Sequence, residues 1–212
     1  RLMKTHPAIG WIRTDEAVDA VAAAEVLRLK KSIEELQNQL RQAQFSPPVG
    51  SDVLAQGDDD FEVGFKFESN DKQRQEWTWD YAVNVNWNQI FYDVGPLMLD
   101  EATEDQLRDG LNKMVRARSQ TARSKDKDLK DHVAFRRFEV TEHDFQTIKI
   151  QLRALGLIAK SAKPRSLKDS ETYWALTPYG DQVLTRLRAI HKDQVIVRGS
   201  GPSPDDDEED LI

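Results

Sequence analysis

The longest regular pattern of apolar positions lies near the start of the chain. Between Ala22 and Ala43, apolar residues recur at alternating spacings of four and three residues. Thr14, followed by two acids, is typical of a helix N-terminus, and Ser46-Pro47-Pro48 ends the pattern. We therefore predict an extended lead-in over residues 1–13 and an amphipathic helix of coiled-coil type over residues 14–44.

Two interpretations of the apolar stripe on this helix are open. β-Branched residues at one seam position and leucine at the other favour a parallel two-stranded coiled coil, and so a homodimer. An amphipathic helix packed on its own protein has the same stripe over so short a length. The predicted dimerisation residues are Val26, Leu29, Ile33, Leu36 and Leu40.

Strand-like alternation follows a polar linker over residues 45–60. Aromatic and β-branched residues occupy every second position over 61–67 and again over 77–85, with a polar connection between. This pattern predicts a β-hairpin over residues 61–86. An isolated two-stranded ribbon is marginally stable in water, so its aromatic face must pack on the following domain or on a partner. Core packing is favoured over stacking on nucleic-acid bases.

From residue 87 the pattern becomes helical, and capping-box spacing marks Asn86 with Gln89 and Thr103 with Gln106. The predicted order is helix, short strand at 97–99, helix, helix, strand, basic loop, strand, helix. This is the order of a winged helix, a relative of the helix-turn-helix. The predicted fold class is α+β, with a winged-helix domain over residues 87–196. About 24 residues (118–141) separate its second and third helices, where a tight turn is usual.

The candidate binding residues lie on the third helix of that domain and on its basic loop. Gln and Arg side chains can make bidentate contacts with purine edges, whereas lysines suit phosphates. The loop from 160 to 168 holds four cations and no acid. The predicted nucleic-acid-binding residues are Gln146, Lys149, Arg153, Lys160, Lys163, Arg165 and Lys168.

Charge is distributed unevenly along the chain. The net charge is −7, yet residues 111–198 carry 19 basic and ten acidic side chains. Such a basic block suits a polyanion-facing surface, or a solvated surface that is simply basic. Residues 197–212 include six consecutive acids at 205–210 after a Gly/Ser/Pro stretch, and we predict a disordered acidic tail there. No cysteine, signal peptide or membrane-spanning run is present in the sequence, so we expect a cytoplasmic protein with no membrane partner.

Four stretches resemble a bacterial family of unknown function. They are residues 10–13, WNQIFYDVGPLMLDEATEDQL at 87–107, FQTIKIQLRALGLI at 145–158 and YWALTPYGDQVL at 173–184. Together they resemble the C-terminal region of that family, whose N-terminal half is a TIR-like or nucleoside-deoxyribosyltransferase-like domain. The resemblance implies a winged-helix-like C-terminal domain, an upstream domain that carries any catalytic residues, and a context of bacterial defence. The start at Arg1 fits a chain that continues upstream.

Enzyme classes receive little support from the sequence. It has no Gly-rich phosphate loop, HExxH or GxSxG motif, and the acids at 58–60 are better explained as a linker than as a cation site. We expect no catalytic residues, metal site or cofactor in this chain. The leading hypothesis is a regulatory or targeting module that binds nucleic acid and self-associates. The alternative is a protein-binding scaffold, whose winged helix docks a partner or restrains the upstream domain.

Overall fold

Helices and two small antiparallel sheets make up the fold, which is α+β as predicted. The computed structural model describes residues 14–166 and 168–190. The predicted lead-in over 1–13 and acidic tail over 197–212 lie outside the described residues. The helices are α1 (Thr14–Gln44), α2 (Trp87–Val94), α3 (Glu104–Arg118), α4 (Gln120–Lys125), α5 (Glu142–Ala154) and α6 (Pro178–Arg188). The strands are β1 (Asp60–Asn70), β2 (Glu76–Asn86), β3 (Ala102–Thr103), β4 (Val133–Val140), β5 (Ile158–Lys160) and β6 (Tyr173–Leu176).

The predicted hairpin belongs to a three-stranded sheet with the order β2-β1-β4. Strand β4 comes from the insertion between α3 and α5, and it pairs antiparallel with β1 through two register shifts. Ala134 and Arg137 adopt positive φ angles of 54° and 50° in this strand, a conformation that lets a strand bulge. The insertion thus completes the hairpin sheet, and residues 61–86 are not independent of residues 87–190.

The aromatic face of the hairpin forms part of the protein core. Val63, Phe65 and Phe67 are at most 1% exposed, and the Phe67 ring stacks on Phe138 of β4 with 5.3 Å between centroids. Core packing is therefore the correct interpretation for β1. The tip of β2 differs, because Trp77 is 44% exposed.

The second sheet has the order β3-β6-β5, and it lies among α2, α3, α5 and α6. Both predicted capping boxes are present. Asn86 Oδ1 accepts from the Gln89 amide at 2.8 Å, and Thr103 Oγ1 accepts from the Gln106 amide at 3.2 Å. These caps satisfy backbone donors that the first helical turn leaves free, so they set the start of α2 and α3.

The short strand predicted at residues 97–99 is wrong. Residues Gly95–Met98 form a 3-10 helix instead, because the fixed φ of Pro96 suits the first turn of a helix. The first strand of this sheet is β3, where Ala102 pairs with Trp174 and Thr103 with Tyr173.

Helix α1 spans the predicted range, and all of its residues from 21 to 44 are exposed. The segment after it is not a free linker. Ser51 is buried, and Gln151 Nε2 of α5 donates to the Ala55 carbonyl at 2.6 Å. The segment therefore returns onto the C-terminal part of α5. Among the described residues, none of the helices combines the length and the apolarity needed to cross a bilayer.

Candidate nucleic-acid interface

Helix α5 carries three of the predicted binding residues, Gln146, Lys149 and Arg153, and these differ in exposure. Gln146 is half-buried, and its Nε2 donates to Glu142 Oε1 at 2.7 Å. Arg153 is exposed and makes no side-chain hydrogen bond or ion pair within the described residues. Ile150, between them on the same face, is 63% exposed. Arg153 is therefore the cation of this helix that is accessible to a ligand.

Lys149 is held inside the protein instead of facing solvent. Its side chain is 12% exposed, and Nζ lies 2.8 Å from Glu104 Oε1. Trp174 Nε1 donates to the same oxygen at 3.3 Å. The hydrogen bond from Lys149, followed by that from Trp174, lowers the pKa of the Glu104 carboxyl against the opposing effect of burial. Lys149 thus joins α5 to the start of α3 and to β6, and this pairing competes with a phosphate contact.

The loop between β5 and β6 carries the other predicted cations, and Glu101 engages two of them. Arg165 donates to Glu101 Oε2 through Nη2, and its guanidinium lies 3.4 Å from the Tyr173 ring centroid. Lys163 Nζ lies 3.5 Å from Glu101 Oε1. The Ser161 hydroxyl also donates to this carboxylate. That hydrogen bond, with those from Arg165, lowers the pKa of Glu101.

Glu101 and Glu104 flank the two residues of β3, and we refer to them as the acidic pair. Glu104 binds α5 through Lys149, and Glu101 binds the loop through Arg165. Lys160 pairs in the sheet with Trp174, whose Nε1 donates to Glu104, and its charge helps to lower the pKa of that carboxyl. The acidic pair therefore connects the helix and the loop that the sequence predicts as one surface.

Three predicted loop lysines stay accessible despite the acidic pair. Lys160 and Lys168 are exposed and form no ion pair among residues 14–166 and 168–190, and the Lys163 side chain is 65% exposed. Three of the seven predicted residues can bind a polyanion without breaking an existing contact with a carboxylate. They are Arg153, Lys160 and Lys168.

The acidic pair itself was not found from the sequence. Glu104 occupies the first turn of α3, where an acid is expected for its interaction with the helix dipole. Glu101 precedes a strand too short to show alternation. The pairing with Lys149 and Arg165 joins residues 45 and 64 positions apart, so no local pattern reports it.

Other chemistry is sparse in the part of the chain that the structure describes. It contains no group of three or more His, Asp or Glu side chains arranged to hold a metal ion. Asp58, from the acidic run before β1, accepts a hydrogen bond from the Asn88 side chain, and Asp59 accepts one from the Gln56 amide. Comparison of the chain with protein-family models, curated proteins and solved structures gives no match.

Proposed function

We propose that residues 87–190 form a winged helix that binds nucleic acid, within a regulatory or targeting module that has no catalytic role of its own. The order of elements supports this proposal: α2, β3, α3 and α5 precede the β5–β6 hairpin, and β6 lies between β3 and β5. In a winged helix, α5 is the recognition helix and the hairpin loop is the wing.

The observation that carries the proposal is the accessible set of cations on the recognition helix and the wing. Lys160, Lys163 and Lys168 are phosphate contacts in this scheme, and Arg153 with Gln146 faces the bases. Arg165 and Lys149 are reserve cations, since the acidic pair satisfies them in the free protein.

Binding of a fluorescently labelled DNA duplex, followed by anisotropy over a salt series, tests this function. Three or four phosphate contacts predict a slope of log K against log salt of about −3 to −4. Lys160→Gln with Lys168→Gln should make that slope shallower by about 2. The matched control, Lys125→Gln with Lys127→Gln, removes the same charge from the insertion and should leave the slope unchanged. Absence of binding at low salt contradicts the proposal.

The second candidate function is docking of a protein partner, or restraint of an upstream domain of the same protein. Ile150 favours it, because an isoleucine that is 63% exposed lies at the centre of the recognition face, and apolar side chains often mark protein interfaces. Under this alternative, the protein does not bind the duplex, or the Lys160/Lys168 and Lys125/Lys127 double variants reduce duplex binding equally.

We further propose that α1 associates with a second copy of this chain as a parallel coiled coil. Its seam residues Val26, Leu29, Ile33, Leu36 and Leu40 are all more than half exposed in the single chain. Leu29→Asp with Leu36→Asp should change the mass from dimer to monomer in light scattering, because each charge enters the seam. Lys31→Asp with Asn38→Asp places the same acids away from the seam and should leave a dimer. A monomeric wild-type chain would contradict the proposal.

A further inference from the structure

An open cleft lies between α3, α4 and the first half of β4, on residues that the proposed interface does not use. Its volume is about 830 Å³. The ionisable side chains that line it are Lys113, Arg116, Arg123, Lys130 and His132, and no carboxylate is among the lining residues. The cleft is therefore strongly electropositive for its size.

Arg123 is the buried cation of this cleft, with an exposure of 8%. Its Nε donates to Ser119 Oγ at 3.1 Å, and its Nη2 donates to the Arg116 carbonyl at 2.9 Å. The guanidinium lies 4.8 Å from the Phe138 ring centroid. None of the described carboxylates pairs with it. Burial, followed by repulsion from the Arg116 guanidinium, lowers the pKa of Arg123.

A buried charge without a counter-charge is costly, so it is usually paired. The neutral hydrogen bonds and aromatic rings around Arg123 compensate only part of that cost. Its Nη1 makes no hydrogen bond within the described ranges. An anion in the cleft supplies the missing negative charge and an acceptor for the guanidinium.

The exposed cations around Arg123 point to the same conclusion. Lys113, Arg116 and Lys130 are exposed and form no ion pair with any residue that the structure describes. At the wing, by contrast, Glu101 forms ion pairs with Arg165 and Lys163. Lys113, Arg116, Arg123 and Lys130 thus bring four positive charges to the cleft with no ion pair to any described residue.

We propose that this cleft binds a phosphomonoester of about mononucleotide size. The exposed Arg116 guanidinium suits the fork-like pairing with phosphate oxygens. Arg123 adds a buried charge beside it, and the two lysines add charge around them. Leu129, Phe135 and Ala117 give the remaining wall an apolar character that suits the uncharged part of such a ligand. The volume lies within the range of small-molecule sites. The proposal is independent of nucleic-acid binding at the wing.

Isothermal titration calorimetry of the whole chain with AMP, adenosine and inorganic phosphate tests this site. AMP should bind more tightly than phosphate, and adenosine should bind at least about tenfold more weakly than AMP, because it lacks the charged group. Arg116→Gln with Lys130→Gln should weaken AMP binding by about tenfold or more. These side chains are exposed, so circular dichroism should show an unchanged fold.

The matched control is again Lys125→Gln with Lys127→Gln, which removes two charges from the same insertion outside the cleft and should leave AMP binding unchanged. Three results would overturn the proposal: absence of AMP binding, equal binding of AMP and adenosine, or equal loss in both double variants. If the cleft variant weakens the labelled duplex but AMP does not bind, the cleft contacts a nucleic-acid backbone and the small-ligand assignment is wrong.

Discussion

Replacement of Glu101 by glutamine should strengthen polyanion binding at the wing. In the native chain this carboxylate accepts from Arg165 and lies 3.5 Å from Lys163 Nζ. Any phosphate that binds these two cations must compete with it. Glu101→Gln removes the negative charge while keeping an oxygen that can accept from Ser161, so the local structure should be preserved.

The magnitude follows from counterion release. Each additional phosphate contact makes the slope of log K against log salt steeper by about 0.9. If the variant and the native chain have the same affinity at about 1 M salt, the variant binds about eightfold more tightly at about 0.1 M salt. Release of Arg165, the reserve cation that Glu101 holds in the free protein, therefore predicts about an eightfold gain.

The assay is anisotropy of the labelled duplex, measured for Glu101→Gln beside Glu171→Gln. Glu171 is an exposed acid of the same loop that pairs with no cation among the described residues, so its variant reports the general effect of one charge less. If Glu101→Gln matches Glu171→Gln in affinity and slope, or binds more weakly than the native chain, the competition argument is refuted.

Three further predictions concern stability, measured by urea denaturation. Gly180→Ala should destabilise the fold by about 1–3 kcal/mol, because a β-carbon there would lie 1.9 Å from a backbone carbonyl oxygen. Gly110→Ala meets only a leucine methyl at 2.6 Å and should be neutral or stabilising by up to about 1 kcal/mol; equal effects would refute the steric argument. The pKa of Glu104 is lowered in the fold. Ionised Glu104 therefore stabilises the fold above pH 4.5, the ordinary pKa of this carboxyl, and this stabilisation is lost as the pH falls below that value. Glu104→Gln should therefore lose less stability than the native chain from about pH 6 to about pH 3, and an identical loss would contradict this. Asp144→Ala should cost about 1–3 kcal/mol, since its Oδ2 accepts from the Gly64 amide at 2.9 Å; an unchanged midpoint would show that this contact is not needed.

Features that depend on residues three or four positions apart were predictable from the sequence. The caps at Asn86 and Thr103, the buried stripe of α5 and the left-handed turn at Gly156 (φ 70°) are all of this kind. The caps and the stripe follow from side chains that meet within one helical turn, and the turn at Gly156 follows from the absence of a β-carbon.

Pairing over long distances was not predictable. Strand β4 joins β1 across about 70 residues of chain, with Phe65 opposite Val140. Bulges at Ala134 and Arg137 interrupt the alternation of β4, so its pattern does not indicate a strand of this sheet. The sequence pattern therefore predicts no strand in the insertion over residues 118–141.

The cations of the site were predictable from composition, but their partners and burial were not. The loop lysines and Arg165 stand out in the sequence, whereas Glu101, which pairs with Lys163 and Arg165, lies more than 60 positions away. Arg123 lies in a stretch poor in apolar residues, and only the rings of the first sheet bury it. An arginine buried by residues distant in sequence has no local signature.

The most direct test of the proposed function is a titration of ¹⁵N-labelled protein with the unlabelled duplex, followed by two-dimensional NMR. The proposal predicts the largest shift changes at backbone amides of residues 146–153 and 160–166. Changes confined to α1 or to residues 113–135, or no changes at low salt, would contradict nucleic-acid binding through the recognition helix and the wing.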